Sequence, residues 1–144
     1  MKSLKSFYEF LKEGIVKKQK PDKSRAISLI KESENSFSFL VKIIKEIWIN
    51  DENANYFIKN FYDIIMELIR ARMLLEGFNS SGQGAHEAEV SYLKKLNFSD
   101  IDIDFANQLR YFRNGIMYYG KNFDKDYAEK VFEFIKKIKL KILK

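Results

Sequence analysis

Apolar residues along this chain recur mainly at three- and four-residue spacing, and the elements they predict are helices. Leu4, Phe7, Tyr8, Leu11 and Ile15 form one stripe, predicting a first helix over about residues 3–18. Pro21 suits the first turn of a second helix, which continues through Ala26, Leu29, Ile30, Phe37, Leu40, Val41 and Ile44 to about residue 48. The polar run from Glu32 to Ser36 is either its solvated side or a break. Asn50 or Asp51 is placed to cap a third helix over about 52–76. Here Phe57, Phe61, Ile64, Leu68, Ala71 and Leu75 make one stripe, and Ile58, Tyr62, Ile65, Ile69 and Met73 make another beside it. A helix apolar over so much of its circumference is expected at the centre of its bundle, and Gly77 is its natural stop.

Residues 79–84 read as a loop by composition, followed by a short helix over 86–96. Ser99, with Asp102 three residues on, gives a capping-box-like start to a fifth helix that runs to Tyr119 and stops at Gly120. A last helix, about 124–143, carries Tyr127, Val131, Phe134, Ile135, Ile138 and Ile142. No strand-like alternation and no internal repeat stands out. The expected fold is all-α, an antiparallel bundle of five to six helices. It forms one domain over 1–144, with an N-terminal helix within 1–20 and a core bundle over 22–143. A chain of 144 residues that is 46% apolar and 15% aromatic has enough material for that core.

Composition narrows the chemistry. There is no cysteine, which excludes a disulfide framework, a thiolate zinc site and a cysteine nucleophile. The richest apolar run, 37–49, is cut by Lys42, Lys45 and Glu46, so no membrane span is expected. Lys12 and Glu13 interrupt any signal-peptide core, and a cytoplasmic location is expected. The net charge of +6 is uneven. Residues 1–25 hold eight Lys/Arg against three Asp/Glu, residues 121–144 eight against four, and the middle ten against thirteen. Basic ends on a near-neutral body either attract nucleic acid or an acidic partner, or solvate two surface helices.

Around the fifth helix, Ile101, Phe105, Leu109, Phe112, Ile116 and Tyr119 share one face, read as core. Ile103, Ala106, Arg110, Arg113, Asn114 and Met117 share another that mixes apolar and cationic groups. It reads as a groove or dimer contact, the plainer alternative being snorkelling arginines. Arg110 and Arg113, three residues apart, can reach one anion, and the planar guanidinium suits phosphate. The alternative is an ion pair with Asp63 or Glu67 of the third helix. Asn114 and Tyr118 are spaced to bond each other or a ligand. Tyr119 reads as a packing aromatic, and Gly115 as either a close helix approach or a frayed end. His86, the one histidine, rules out a two-His metal site and reads by default as a surface or capping residue; it joins Arg113 only if its loop folds that way. Gly82-Gln83-Gly84 lacks the strand and lysine of a phosphate loop. Trp48 reads as core or dimer contact.

Three stretches carry a family resemblance. Residues 62–71 (YDIIMELIRA), 84–88 (GAHEA) and 109–120 (LRYFRNGIMYYG) resemble the central helix, the following loop and short helix, and the signature helix of archaeal and bacterial HEPN proteins. The likeness spans about 22–140 in the same helix order. The family signature is Arg, often followed by Asn, then His a few residues later. Arg113 and Asn114 match, but Tyr118 stands where the histidine would fall. In active members the resemblance implies a metal-independent RNase with Arg and His paired across a two-fold dimer. Tyrosine, with a pKa near 10, is a poor proton-transfer substitute at neutral pH. Other members bind nucleotides or partner a small nucleotidyltransferase in toxin–antitoxin pairs.

The resemblance therefore implies a non-catalytic or weakly catalytic homodimer in which Arg110, Arg113 and Asn114 contact the phosphate of an RNA or nucleotide. Asp63, Glu67 and Arg70 would be supporting polar residues, with no metal or cofactor required. The alternatives are an RNase, or toxin, using Arg113 with Tyr118 or His86, and a dimerisation module without a ligand.

Overall fold

The computed structural model describes residues 3–143; Met1, Lys2 and Lys144, counted above in the basic ends, lie outside the described residues. The order is α1 (Phe7–Glu13), β1 (Val16–Lys18), α2 (Lys23–Ile47), α3 (Ala54–Leu75), β2 (Phe78–Ser80), α4 (Ala85–Ser91), α5 (Asp100–Tyr119) and α6 (Lys125–Ile142), with a single 3₁₀ turn at Tyr92–Lys94. The all-α helical bundle is as expected. No helix of the described residues is long and apolar enough to cross a membrane.

α3 is the hub. It packs against α2, α6, α5, α4 and β2, and both its apolar stripes are buried except for Leu75. α2 runs without a break through residues 32–36, and the buried Ser33 satisfies its hydroxyl on the Ile30 carbonyl at 2.7 Å. At the α2–α3 turn, Asn50 Oδ1 accepts from the backbone of Glu52 and Asn53, and Asn53 Oδ1 accepts from Asn50 N. The cap position itself is Asn53.

The first helix is shorter than its stripe suggested. Gly14, at φ +80°, ends α1 in a left-handed cap, and the chain leaves as a strand. β1 pairs antiparallel with β2, Val16 opposite Ser80, so a two-stranded sheet exists where none was expected, and Asn79 and Ser80 belong to it and not to a loop. Strands of three residues are too short to show alternation, and their pairing is fixed by residues some 60 positions apart, to which local pattern is blind.

α5 also corrects the sequence reading. Ile101 and Tyr119, assigned to the core, are 80% and 78% exposed, whereas Ile103 and Ala106, assigned to the outer face, are buried. The reason is that α5 is packed on two sides. Ile103, Ala106 and Leu109 enter the core beside α3 and α4. Phe105 and Phe112 meet α6 through Phe134 and Tyr127, at ring separations of 4.7 and 5.1 Å. A one-stripe reading averages these sides and misplaces both. Asp102, also buried, is held 2.9 Å from Lys137 of α6. Of the two readings of Trp48, core is overturned: it is 74% exposed at φ +59°, and the neighbouring Ile49 takes the core position.

Candidate functional site

The second face of α5 passes from buried to open along its length. Beyond Ala106 and the buried Asn107, its residues Arg110, Arg113 and Asn114 are half-buried, and Met117 is exposed. They do not lie on open surface. The loop after β2 and the start of α4 stand opposite, and the two walls enclose a cleft of about 580 Å³. Arg110, Arg113, Asn114 and Tyr118 line one wall; Gln83, Gly84, His86 and Glu87 line the other. The loop thus folds toward Arg113 and brings the one histidine into the same space.

Local chemistry holds that loop in place. Ser81 N donates to the Ile15 carbonyl at 3.1 Å, continuing the β1–β2 contact. Gly84 has φ +91°, and a Cβ there would lie 3.2 Å from Ile15 Cδ1. Beneath the loop, the Glu89 carboxylate is buried at 1% exposure. Arg70 grips it with two bonds of 3.0 and 3.1 Å, and the Ser80 hydroxyl donates to it at 2.6 Å. This bidentate, three-donor arrangement satisfies a charge that would otherwise be prohibitive to bury. It ties α3, β2 and α4 together directly behind the cleft.

Tyr62 of α3 is buried behind His86 and Arg113. Its ring lies 5.4 Å from the Arg113 guanidinium carbon, and its hydroxyl is 3.1 Å from His86 Nδ1. Burial raises the Tyr62 pKa well above the ordinary value, outweighing the nearby arginines, so the hydroxyl keeps its proton. Burial lowers the His86 pKa, with Arg70 and Arg113 adding to that effect and Glu89 and Asp63 opposing it.

Arg113 is 18% exposed and lies 3.6 Å from Asp63, whose side chain is 57% exposed. That separation is an ion pair without a close hydrogen bond. Among the described residues, Arg113 Nε has no hydrogen-bond partner. Arg110 donates through Nε and a terminal nitrogen to Asn107 Oδ1 at 3.2 and 3.1 Å, and lies over Tyr111 at 4.7 Å.

The remaining sequence candidates fall as follows. Glu67 pairs with neither cleft arginine; burial, then Glu32, raises its pKa. Arg70 serves Glu89 behind the cleft. Tyr118 is 70% exposed at the rim, and among the described residues no hydrogen bond joins it to Asn114. Gly115 faces the returning chain and not another helix, a Cβ there lying 3.2 Å from Lys121 Cγ. Among the described residues no three His, Cys, Asp or Glu converge as metal ligands. Sequence reasoning missed Tyr62 and Glu89 as site residues. Tyr62 falls within an apolar stripe, and Glu89 carries no local sign that it is buried. Compared with known proteins, the chain matches no family model, no curated protein and no solved structure.

Proposed function

We propose that the cleft between α5 and the 82–87 segment binds the phosphate of an RNA strand or nucleotide, as a HEPN-like nucleotide- or nucleic-acid-associated protein. The observation that carries this reading is the convergence of Arg110, Arg113, Asn114 and His86 on one cleft, with the buried Arg113 Nε lacking a partner among the described residues. Guanidinium and amide donors around a half-enclosed space suit a phosphate oxygen. Asp63 orients Arg113 from one side without taking up its donors. In this reading a second copy meets the exposed end of α5 at Met117 and Tyr119, and a small nucleotidyltransferase is a candidate partner.

The test uses a short 2′-O-methylated RNA, which resists cleavage, alongside adenosine monophosphate. Binding should weaken with salt, and Arg113→Ala should weaken it further by roughly tenfold or more, the loss of one charge-assisted contact. Binding indifferent to Arg110→Ala and Arg113→Ala would remove the proposal. Sedimentation of the intact chain reads the dimer.

A second reading, metal-independent RNA cleavage, is favoured by one observation: His86 lies in the Arg113 cleft, where Tyr118 is left at the rim. It predicts cleavage of ordinary RNA in EDTA that is lost in His86→Gln and kept in Tyr118→Phe.

A further inference from the structure

His86 is the one histidine of the chain, half-buried in the loop wall of the cleft. Its Nδ1 is engaged by the Tyr62 hydroxyl at 3.1 Å, which leaves Nε2 as the nitrogen for a ligand. Titratable groups face it from three elements: α3 supplies Tyr62, Asp63 and Arg70; α4 supplies Glu87 and Glu89; α5 supplies Arg110, Arg113 and Tyr118. Glu89, the anion that most raises the His86 pKa, is also bonded to Arg70 and Ser80.

We infer that His86 is a protonation-gated ligand for the anion held in this cleft: the ring takes up a proton when a phosphate group enters, and affinity rises as the medium is acidified. This rests on the phosphate reading of the cleft.

Burial holds the ring below its ordinary pKa, with Arg70 and Arg113 adding to that effect against Glu89 and Asp63, so a further positive charge is penalised. An anion seated on Arg113 cancels that repulsion and gives Nε2–H an acceptor, so the cationic ring becomes the favoured form. Proton and anion binding are then linked, and each strengthens the other by the same factor. The Tyr62 hydroxyl suits both states by rotating its proton. It donates to Nδ1 of one neutral tautomer and accepts from Nδ1–H of the cation. Because burial keeps it protonated, it does not itself become the anion.

A single histidine makes the experiment direct. Its C2 proton is followed by NMR in the intact chain as pH is varied, with sulfate as probe and chloride at matched ionic strength as control. Sulfate stays doubly charged throughout, so any coupling belongs to the protein. Sulfate should move the His86 midpoint up by about one pH unit, which corresponds to about tenfold tighter sulfate binding below the titration than above it. His86→Gln should bind sulfate through Arg113 with no such pH dependence. Arg113-dependent sulfate binding with an unmoved midpoint would overturn this inference and leave the cleft reading intact. No sulfate binding at any pH would remove both.

Discussion

At the scale of single residues, the positions that line the cleft and those that support it differ in how far sequence exposes them. Arg110, Arg113 and Asn114 could be placed on one face because helical spacing is local and regular. Glu89 could not. It stands in a run of good helix formers, where a glutamate is ordinarily solvated, and its partners come from another helix and from a strand with no pattern of its own. Its burial makes a strong prediction. Glu89→Ala leaves Arg70 partly buried without its carboxylate and should cost about 3–5 kcal/mol, read as a lowered urea midpoint. A loss below about 1 kcal/mol would show that the network does not hold the loop. His86 gives a second prediction, one that depends on pH. Its folded pKa lies below the usual value, chiefly through burial. Above about pH 6.5 the ring is neutral whether folded or not, and stability is unaffected. As pH falls further, the unfolded chain takes the proton first, so stability declines through the lowered folded pKa. In sulfate-free buffer, His86→Gln should flatten that part of the pH–stability curve. An unchanged slope would assign the acid sensitivity to carboxylates.

At the scale of elements, α2, α3, α5 and α6 were legible because each is long enough for its stripe to repeat; α4 was placed only by the loop before it and, at seven residues, ends at Ser91, short of the expected residue 96. Ser99 accepts from Asp102 N and Asp124 from Tyr127 N, as helix starts require. The exception is the N-terminal segment. Its apolar spacing continues past Gly14, yet the chain turns there and Val16 becomes buried as a strand residue. That strand is the outer support of the cleft loop, through Ser81 and the Ile15–Gly84 contact. Gly84→Ala should therefore destabilise in two ways, by about 1–2 kcal/mol for a left-handed backbone with a side chain and by the crowding of Ile15. The second part is separable. In an Ile15→Ala background the crowding is gone, so the Gly84→Ala cost should fall toward the backbone term alone. Equal costs in both backgrounds would show that Ile15 does not press on the loop.

At the scale of the whole molecule, stability is unevenly spread, and the cleft straddles the division. Tyr62, which backs its His86 and Arg113, belongs to α3, most of whose residues have almost no exposure. Its rim, Tyr118 with Tyr119 beside it, belongs to the last turn of α5, which is exposed and ends at Gly120. Amide exchange follows local burial, so helix ends open at little free-energy cost while central elements open only with the entire fold. Leu68→Ala tests the division, since Leu68 is completely buried in the hub. Removing it should lower global stability by about 2–5 kcal/mol, and the slowest amides of α3 and α6 should exchange faster by that full amount. The amides of residues 117–119 should keep their rates, because they already exchange through a smaller opening that leaves α3 intact. Were they to accelerate in step with α3, the rim would be part of the global unit, and ligand entry past Tyr118 would demand far more than the fraying of one helical turn.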